Sequence, residues 1–153
     1  LVSVAIEPPL SPDPFVEWGD RFRIDREWFR PMGSFGFALV RSDLFAYGAY
    51  EGRERVAFEG FSSDLKGEHS KGGYSQSRFE RRRDEQIADH LGDCRAVMTE
   101  RDPDHLIVVG ERTVIGEFPG LADHTATVDA TGDPETALAD AFDSFFTATL
   151  HLL

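Results

Sequence analysis

Three strand-like segments follow one another near the middle of the chain, and this succession most constrains the fold. Residues 36–40, 44–50 and 54–61 are rich in aliphatic and aromatic side chains, and short polar turns at 41–43 and 51–53 separate them. The third segment alternates polar and apolar residues, as a half-buried strand does. Because short turns join antiparallel neighbours, the pattern predicts a three-stranded meander.

Helical and strand patterns alternate after the meander. A capping box formed by Ser77 and Glu80 predicts the start of a helix, and Gly92 predicts its end. The later predicted elements are a short strand at 94–98, a buried strand at 105–109, a short helix within 110–118, a strand at 125–129 and a helix over 134–150. This order predicts an α/β fold with a mixed β-sheet and packed helices.

The chain length and the first residues suggest one domain preceded by a linker. Its 153 residues, 41% of them hydrophobic, suffice for one core. Residues 1–14 are rich in proline, so we expect 1–30 to be a linker that follows a missing N-terminal region and leads into a domain at 31–153. The sequence contains no run of apolar residues long enough to predict a transmembrane helix. A single cysteine, Cys94, excludes an internal disulfide and favours a cytoplasmic location.

The charge balance is strongly acidic. The chain has 28 acidic and 16 basic residues, for a net charge of −12. This surplus is typical of proteins that stay soluble at very high salt, and we expect a halophilic, archaeal protein. An ordinary acidic protein with a pI near 4.7 is the alternative.

One basic segment stands out against this acidic background. Residues 66–83 carry a charge of +4, which leaves −16 for the rest of the chain. The basic residues are Lys66, Lys71, Arg78, Arg81, Arg82 and Arg83. Such a focus predicts a site for a polyanion, and the phosphate backbone of RNA is the natural candidate.

The same segment contains an uncharged polar group beside two glycines. Gly72 and Gly73 allow positive φ and a close approach to a partner. The Gln76 amide both donates and accepts hydrogen bonds, so it can orient a water molecule or stabilise an oxyanion. From the residue types alone, an ordinary loop followed by a solvated helix face remains an open alternative.

Several segments together resemble the catalytic middle domain of archaeal and eukaryotic class I peptide-chain release factors. The resemblance rests on residues 34–40, the strand at 44–48, Gly72-Gly73 and the run 78–83, and it continues through 105–110 and the last helix. In those factors the glutamine directly follows the glycines, whereas here Tyr74 and Ser75 intervene. This variant resembles the Vms/ANKZF family of release-factor-like peptidyl-tRNA hydrolases.

The resemblance implies an enzyme of ribosome-associated quality control. It would hydrolyse peptidyl-tRNA on stalled ribosomes or large subunits, would need no metal or cofactor, and would act as a monomer with large-subunit RNA and peptidyl-tRNA as partners. Gln76, Gly72 and Gly73 would be the catalytic residues. The expected RNA-binding residues are Lys66, Lys71, Tyr74, Ser75, Arg78, Arg81, Arg82 and Arg83.

Two other functions remain open at this point. A ribosome-binding or recycling module could share the fold without catalysis, and a nuclease could cut the acceptor end of the tRNA. His90 and Cys94 are four residues apart, which resembles a metal-ligand spacing. Without two further ligands we do not expect a metal site there.

Overall fold

The computed structural model describes residues 3–21, 23–31, 33–63 and 76–153. The strands are β1 (Val4–Glu7), β2 (Ser34–Val40), β3 (Leu44–Glu51), β4 (Glu54–Ser62), β5 (Leu106–Gly110), β6 (His124–Thr127) and β7 (Thr149–Leu152). The α-helices are α1 (Gln76–Arg101), α2 (Arg112–Ile115) and α3 (Pro134–Phe145), and a 3₁₀ helix spans Arg26–Trp28. Among these described helices, none has both the length and the hydropathy of a membrane span.

A five-stranded mixed sheet lies at the centre, in the order β4-β3-β2-β5-β6. The pairs β2–β3 and β3–β4 are antiparallel, which confirms the predicted meander. The pairs β2–β5 and β5–β6 are parallel, and such pairs require crossover connections. The predicted α/β fold with a mixed sheet and packed helices is therefore confirmed.

Alternate residues of the central strands supply two hydrophobic layers. On β2, Phe37 and Leu39 belong to the layer that packs with α3, and Ala38 and Val40 belong to the layer that packs with α1 and α2. This division follows from the two-residue period of a strand. Each large side chain that is fully buried contributes about 1.5–3 kcal/mol to folding. Helices α1 and α3 consequently lie on opposite faces of the sheet.

Asp133 is the N-cap of helix α3. The Asp133 carboxylate accepts a hydrogen bond from the Thr136 amide at 3.1 Å, and Pro134 occupies the first turn. Hydrogen bonding from the Thr136 side chain, and next from its backbone amide, lowers the pKa of the Asp133 carboxyl. Farther along α3, the ring of Phe142 stacks on Tyr50 with a centroid distance of 4.4 Å. Capping and aromatic packing together fix α3 against the sheet.

The first residues pair with the last ones. Strand β1 is antiparallel to β7 in a separate two-stranded ribbon. Leu10 is buried in the layer that contains α3, and its amide donates to the Trp28 carbonyl oxygen at 2.9 Å. Part of the predicted linker thus contributes to the fold. The division of the chain at residue 30 stays a prediction.

Helix α1 is longer than the sequence predicted. It continues through Gly92 to Arg101, so the predicted strand at 94–98 is wrong. Cys94 and Met98 follow His90 at intervals of four, and all three side chains are buried. Their burial outweighs the roughly 1 kcal/mol that a glycine costs inside a helix. Ser77 lies inside α1 and is not its cap, because the helix begins at Gln76.

The predicted end of the last helix is also wrong. Helix α3 ends at Phe145, and Thr149–Leu152 forms β7 instead of another helical turn. The helical spacing of apolar residues does continue to Leu150. Pairing with β1, whose partner residues are distant in the sequence, decides the conformation of this segment.

Candidate RNA-binding and catalytic site

Helix α1 carries the described part of the candidate site. It has 26 residues, which correspond to about 39 Å. The first buried side chain is that of His90, and none of residues 76–89 is buried. About 20 Å of helix therefore precedes the first buried side chain, with only Phe79 and Ile87 half-buried along it.

Five predicted site residues lie on the first two turns of this helix. They are Gln76, Arg78, Arg81, Arg82 and Arg83, and all five are exposed. Within the described residues, none of the four arginines forms a salt bridge. Their guanidinium groups are therefore not neutralised by a described carboxylate.

The position of these arginines is unfavourable for the helix itself. The amino end of a helix has a partial positive charge, which attracts anions and repels cations. The first turn of α1 contains no acidic residue, and the arginines follow directly. The helix end and the guanidinium groups therefore add to one positive field. Stabilisation of α1 through its helix dipole therefore does not account for this cluster.

Acidic residues follow the arginines along α1. Glu80 lies between them, but Asp84, Glu85 and Asp89 come later on the helix. The positive charge is thus concentrated at the exposed end, next to Gln76.

The other predicted site residues fall in segment 64–75, outside the described residues. They are Lys66, Lys71, Gly72, Gly73, Tyr74 and Ser75. Their roles stay predictions. The described chain stops at Ser63, just after β4, and resumes at Gln76, the first residue of α1.

A buried histidine joins the end of β4 to α1. The ring nitrogen Nε2 of His90 donates to the Arg41 carbonyl oxygen at 3.0 Å, since a carbonyl can only accept. Its Nδ1 lies 2.7 Å from the Ser63 hydroxyl, which can donate to a neutral ring. The edge of the ring meets Phe61 at a centroid distance of 5.5 Å. His90 therefore holds the point where the chain leaves the sheet.

Sequence reasoning missed this contact. Ser63 and His90 are 27 residues apart, and no local motif connects them. His90 lies 14 residues after Gln76, so the point where Ser63 contacts α1 is about 21 Å along the helix axis from Gln76. The only signal in the sequence for a buried His90 is its spacing of four residues from Cys94 and of eight from Met98, which places all three on one helix face.

Neither His90 nor Cys94 has the surroundings of a metal ligand. Both ring nitrogens of His90 already have hydrogen-bond partners. Burial, with a smaller contribution from Asp93, raises the pKa of the Cys94 thiol from its ordinary value of 9.0 to about 12. Within the described residues, no three potential metal ligands come together. The Cys94 thiol is thus neutral at physiological pH, and thiols bind metals as thiolates.

Comparison with known proteins identifies the family. Residues 33–151 match the family described as Actinobacteria/chloroflexi VLRF1 release factor. A search of curated proteins found no match. The family supports a release-factor-like domain with a function in translation that involves the ribosome.

This family match does not test the more specific expectations from the sequence. The Vms/ANKZF resemblance, the archaeal source and the halophilic character stay predictions, and the matched family is named for Actinobacteria and Chloroflexi. The match covers most of the chain, including the whole five-stranded sheet and all of α1. The chain therefore belongs to the Actinobacteria/Chloroflexi VLRF1 release factor family.

Proposed function

We propose that this protein hydrolyses the ester bond of peptidyl-tRNA and so releases nascent chains from stalled ribosomes or large subunits. One observation carries the proposal: exposed Gln76 begins a helix whose next two turns present four arginines without a described ionic partner. A neutral amide beside arginines that would bind phosphates suits the hydrolysis of an ester on RNA, in which water is the nucleophile. Membership of a release-factor family supports the same chemistry.

The side chain of Gln76 would orient the attacking water or stabilise the tetrahedral intermediate. An amide is neutral at physiological pH and is not a general base, so much of the catalytic environment would come from the ribosome and the tRNA. Gly72 and Gly73 would allow segment 64–75 to approach ribosomal RNA closely. The protein alone would therefore be a poor hydrolase, and it would need no metal or cofactor.

The arginines would bind phosphates and fix the orientation of α1. Guanidinium groups form two parallel hydrogen bonds with a phosphate. The exposed half of α1 is about 20 Å long, enough to place Gln76 inside a cavity while the sheet stays outside. The acidic remainder of the chain would be repelled by RNA, which favours this one orientation. We propose that the reaction takes place in the cytoplasm.

A release assay on isolated large subunits that carry peptidyl-tRNA tests the function. We expect the wild-type protein to release the peptide and Gln76→Ala to abolish release without a lower Tm, since alanine is a good helix former. Gln76→Glu should also be inactive, because a carboxylate repels a developing oxyanion. Gln86→Ala is the matched control, since Gln86 is exposed on the same helix.

The acceptor end of the tRNA distinguishes the reactions. After ester hydrolysis the released tRNA retains an intact 3′ end, whereas a shortened end would show a nuclease. Full release by Gln76→Ala would contradict the proposed role of the amide. Binding to the subunit without release by the wild-type protein would instead indicate a non-catalytic module.

A further inference from the structure

One buried side chain of the described region differs in kind from the others. The core there is built from aliphatic, aromatic and sulfur-containing side chains, and His90 is the one strongly polar side chain buried with them, at 2% exposure. A buried imidazole needs hydrogen-bond partners, whereas an apolar side chain of similar size needs none. Stability by itself therefore does not require a histidine at this position of α1.

The contacts of His90 are directional. Its Nε2 donates to the Arg41 carbonyl oxygen at 3.0 Å, just after β2, and its Nδ1 lies 2.7 Å from the Ser63 hydroxyl, just after β4. Hydrogen bonds weaken steeply when their angles depart from the preferred geometry. Two such bonds from one ring to two strand ends therefore restrict both the rotation of α1 about its axis and its tilt against the sheet.

Contacts farther along α1 tolerate more movement. Cys94 and Met98 pack in the apolar layer of the sheet, and apolar packing has no directional requirement. Two exposed arginines of α1 also contact other elements: Arg95 donates to the Glu117 carbonyl oxygen, and Arg101 pairs with Glu59 at 2.7 Å. Exposed pairs contribute little, because water competes for them. Of these contacts, that of His90 is also the nearest to Gln76.

The distance between His90 and Gln76 amplifies small movements. None of residues 76–89 is buried, so this half of α1 extends about 21 Å beyond the His90 contact. A tilt of the helix by about 5° at His90 would displace Gln76 by about 2 Å. Misplacement of a reacting group by about 1 Å can lower a rate about a hundredfold. The alignment of α1 at His90 therefore decides where Gln76 lies.

We propose that His90 is a positioning residue for peptide release. Its ring ties α1 to Arg41 and Ser63 and so sets the direction in which the helix carries Gln76 to the ester bond. This role rests on the function proposed above for Gln76. His90 does not touch the substrate, because its side chain is buried and lies about 21 Å along the helix from Gln76.

Distances between two spin labels test the alignment of α1 without the ribosome. The labels are attached at Ser77→Cys on α1 and at Arg53→Cys in the β3–β4 turn, and both positions are exposed. The buried, protonated Cys94 thiol reacts slowly with the label. We expect His90→Leu, in which an apolar side chain fills the space, to shift or broaden the distance distribution by about 2 Å.

Single-turnover release of peptide from isolated large subunits separates positioning from folding. We expect the saturating rate of His90→Leu to fall about tenfold or more, while its affinity for the subunit stays within about twofold. His90→Gln should recover most of the rate, since its amide can donate to the Arg41 carbonyl oxygen. Cys94→Ala is the matched control: Cys94 lies one turn farther along the same buried stripe, so this variant should change neither the rate nor the label distances.

The two measurements distinguish this role from the proposed function. If His90→Leu does not fold, Ser63→Ala tests the same role, because it keeps the ring and removes one of its two bonds. Unchanged label distances in the folded variant would overturn the proposal, as would equal losses of rate in His90→Leu and Cys94→Ala, or a rate that falls only in proportion to affinity. If the wild-type protein releases no peptide, the proposed function fails and with it the link to release, whereas altered label distances would still support alignment of α1 by His90.

Discussion

The hydroxyl group of Ser63 lies 2.7 Å from Nδ1 of His90 and so connects the end of β4 to the middle of α1. The second ring nitrogen of His90 binds the Arg41 carbonyl oxygen, just after β2. One buried side chain thus joins two strands and a helix. The relationship matters for the proposed function, because segment 64–75 follows Ser63 in the chain and precedes Gln76, the first residue of α1.

We expect His90→Ala to reduce the free energy of unfolding by about 2–4 kcal/mol. The substitution removes a buried ring and deprives the Arg41 carbonyl and the Ser63 hydroxyl of their partner. Ser63→Ala should cost about 1 kcal/mol, since it removes one hydrogen bond. Urea denaturation of both variants and of the double variant measures the coupling. Fully additive losses would show that the Ser63–His90 bond contributes nothing.

Gly110→Ala should destabilise the protein by about 3 kcal/mol or more. Gly110 ends β5 with φ +149°, and a Cβ there would overlap the carbonyl oxygen of Val40 on the neighbouring strand. Gly116→Ala is the control, because Gly116 has φ −70° and an added Cβ would meet nothing within 4 Å. Thermal unfolding compares the two variants. Similar Tm values would contradict the close approach of β2 and β5 at this point.

Stability should fall at alkaline pH because of Cys94. Burial raises the pKa of this thiol from 9.0 to about 12, so between these values the folded protein holds a proton that the unfolded chain has lost. The free energy of unfolding should therefore decrease by about 1.4 kcal/mol per pH unit in this range from Cys94 alone. Burial also raises the pKa of Tyr47 and Tyr50, which adds to the loss at higher pH.

Cys94→Ala separates the thiol from the tyrosines. Urea unfolding between about pH 8 and 11 should give a shallower pH dependence for this variant than for the wild type, by the equivalent of one proton. Native protein at neutral pH should also react slowly with a thiol reagent, since the thiol is buried and protonated. An unchanged pH slope in Cys94→Ala would contradict the assignment.

Neutralising the arginines of α1 should reduce the salt dependence of ribosome binding. If Arg81, Arg82 and Arg83 each contact one phosphate, replacing all three with glutamine should lower the slope of log K against log [salt] by about 2 to 3. Arg53→Gln is the matched control, because Arg53 is exposed in the β3–β4 turn and forms no salt bridge among the described residues. Binding to large subunits over a range of KCl concentrations measures the slope. Equal slopes for all variants would exclude phosphate contacts by this helix.

The sequence predicted the central elements because their signals are local. Short turns between alternating segments are enough to specify the β2–β3–β4 meander, and Asp133 and Pro134 mark the start of α3 in any context. Charge is also a property of the sequence, so the basic segment that includes Arg78 and Arg81 could be identified without coordinates. These features need no knowledge of distant residues.

The tertiary structure decided the conformation of those segments in which local signals conflict or are absent. Gly92 suggests a helix end, yet α1 continues because Cys94 and Met98 are buried against the sheet. The spacing around Leu150 suggests a helix, yet pairing between Ile6 and Leu150 makes a strand. The sequence alone determined which residues are charged, apolar or able to turn. Only the folded chain brought His90 to Ser63 and β1 to β7, because the free energy of these contacts comes from partners far apart in sequence.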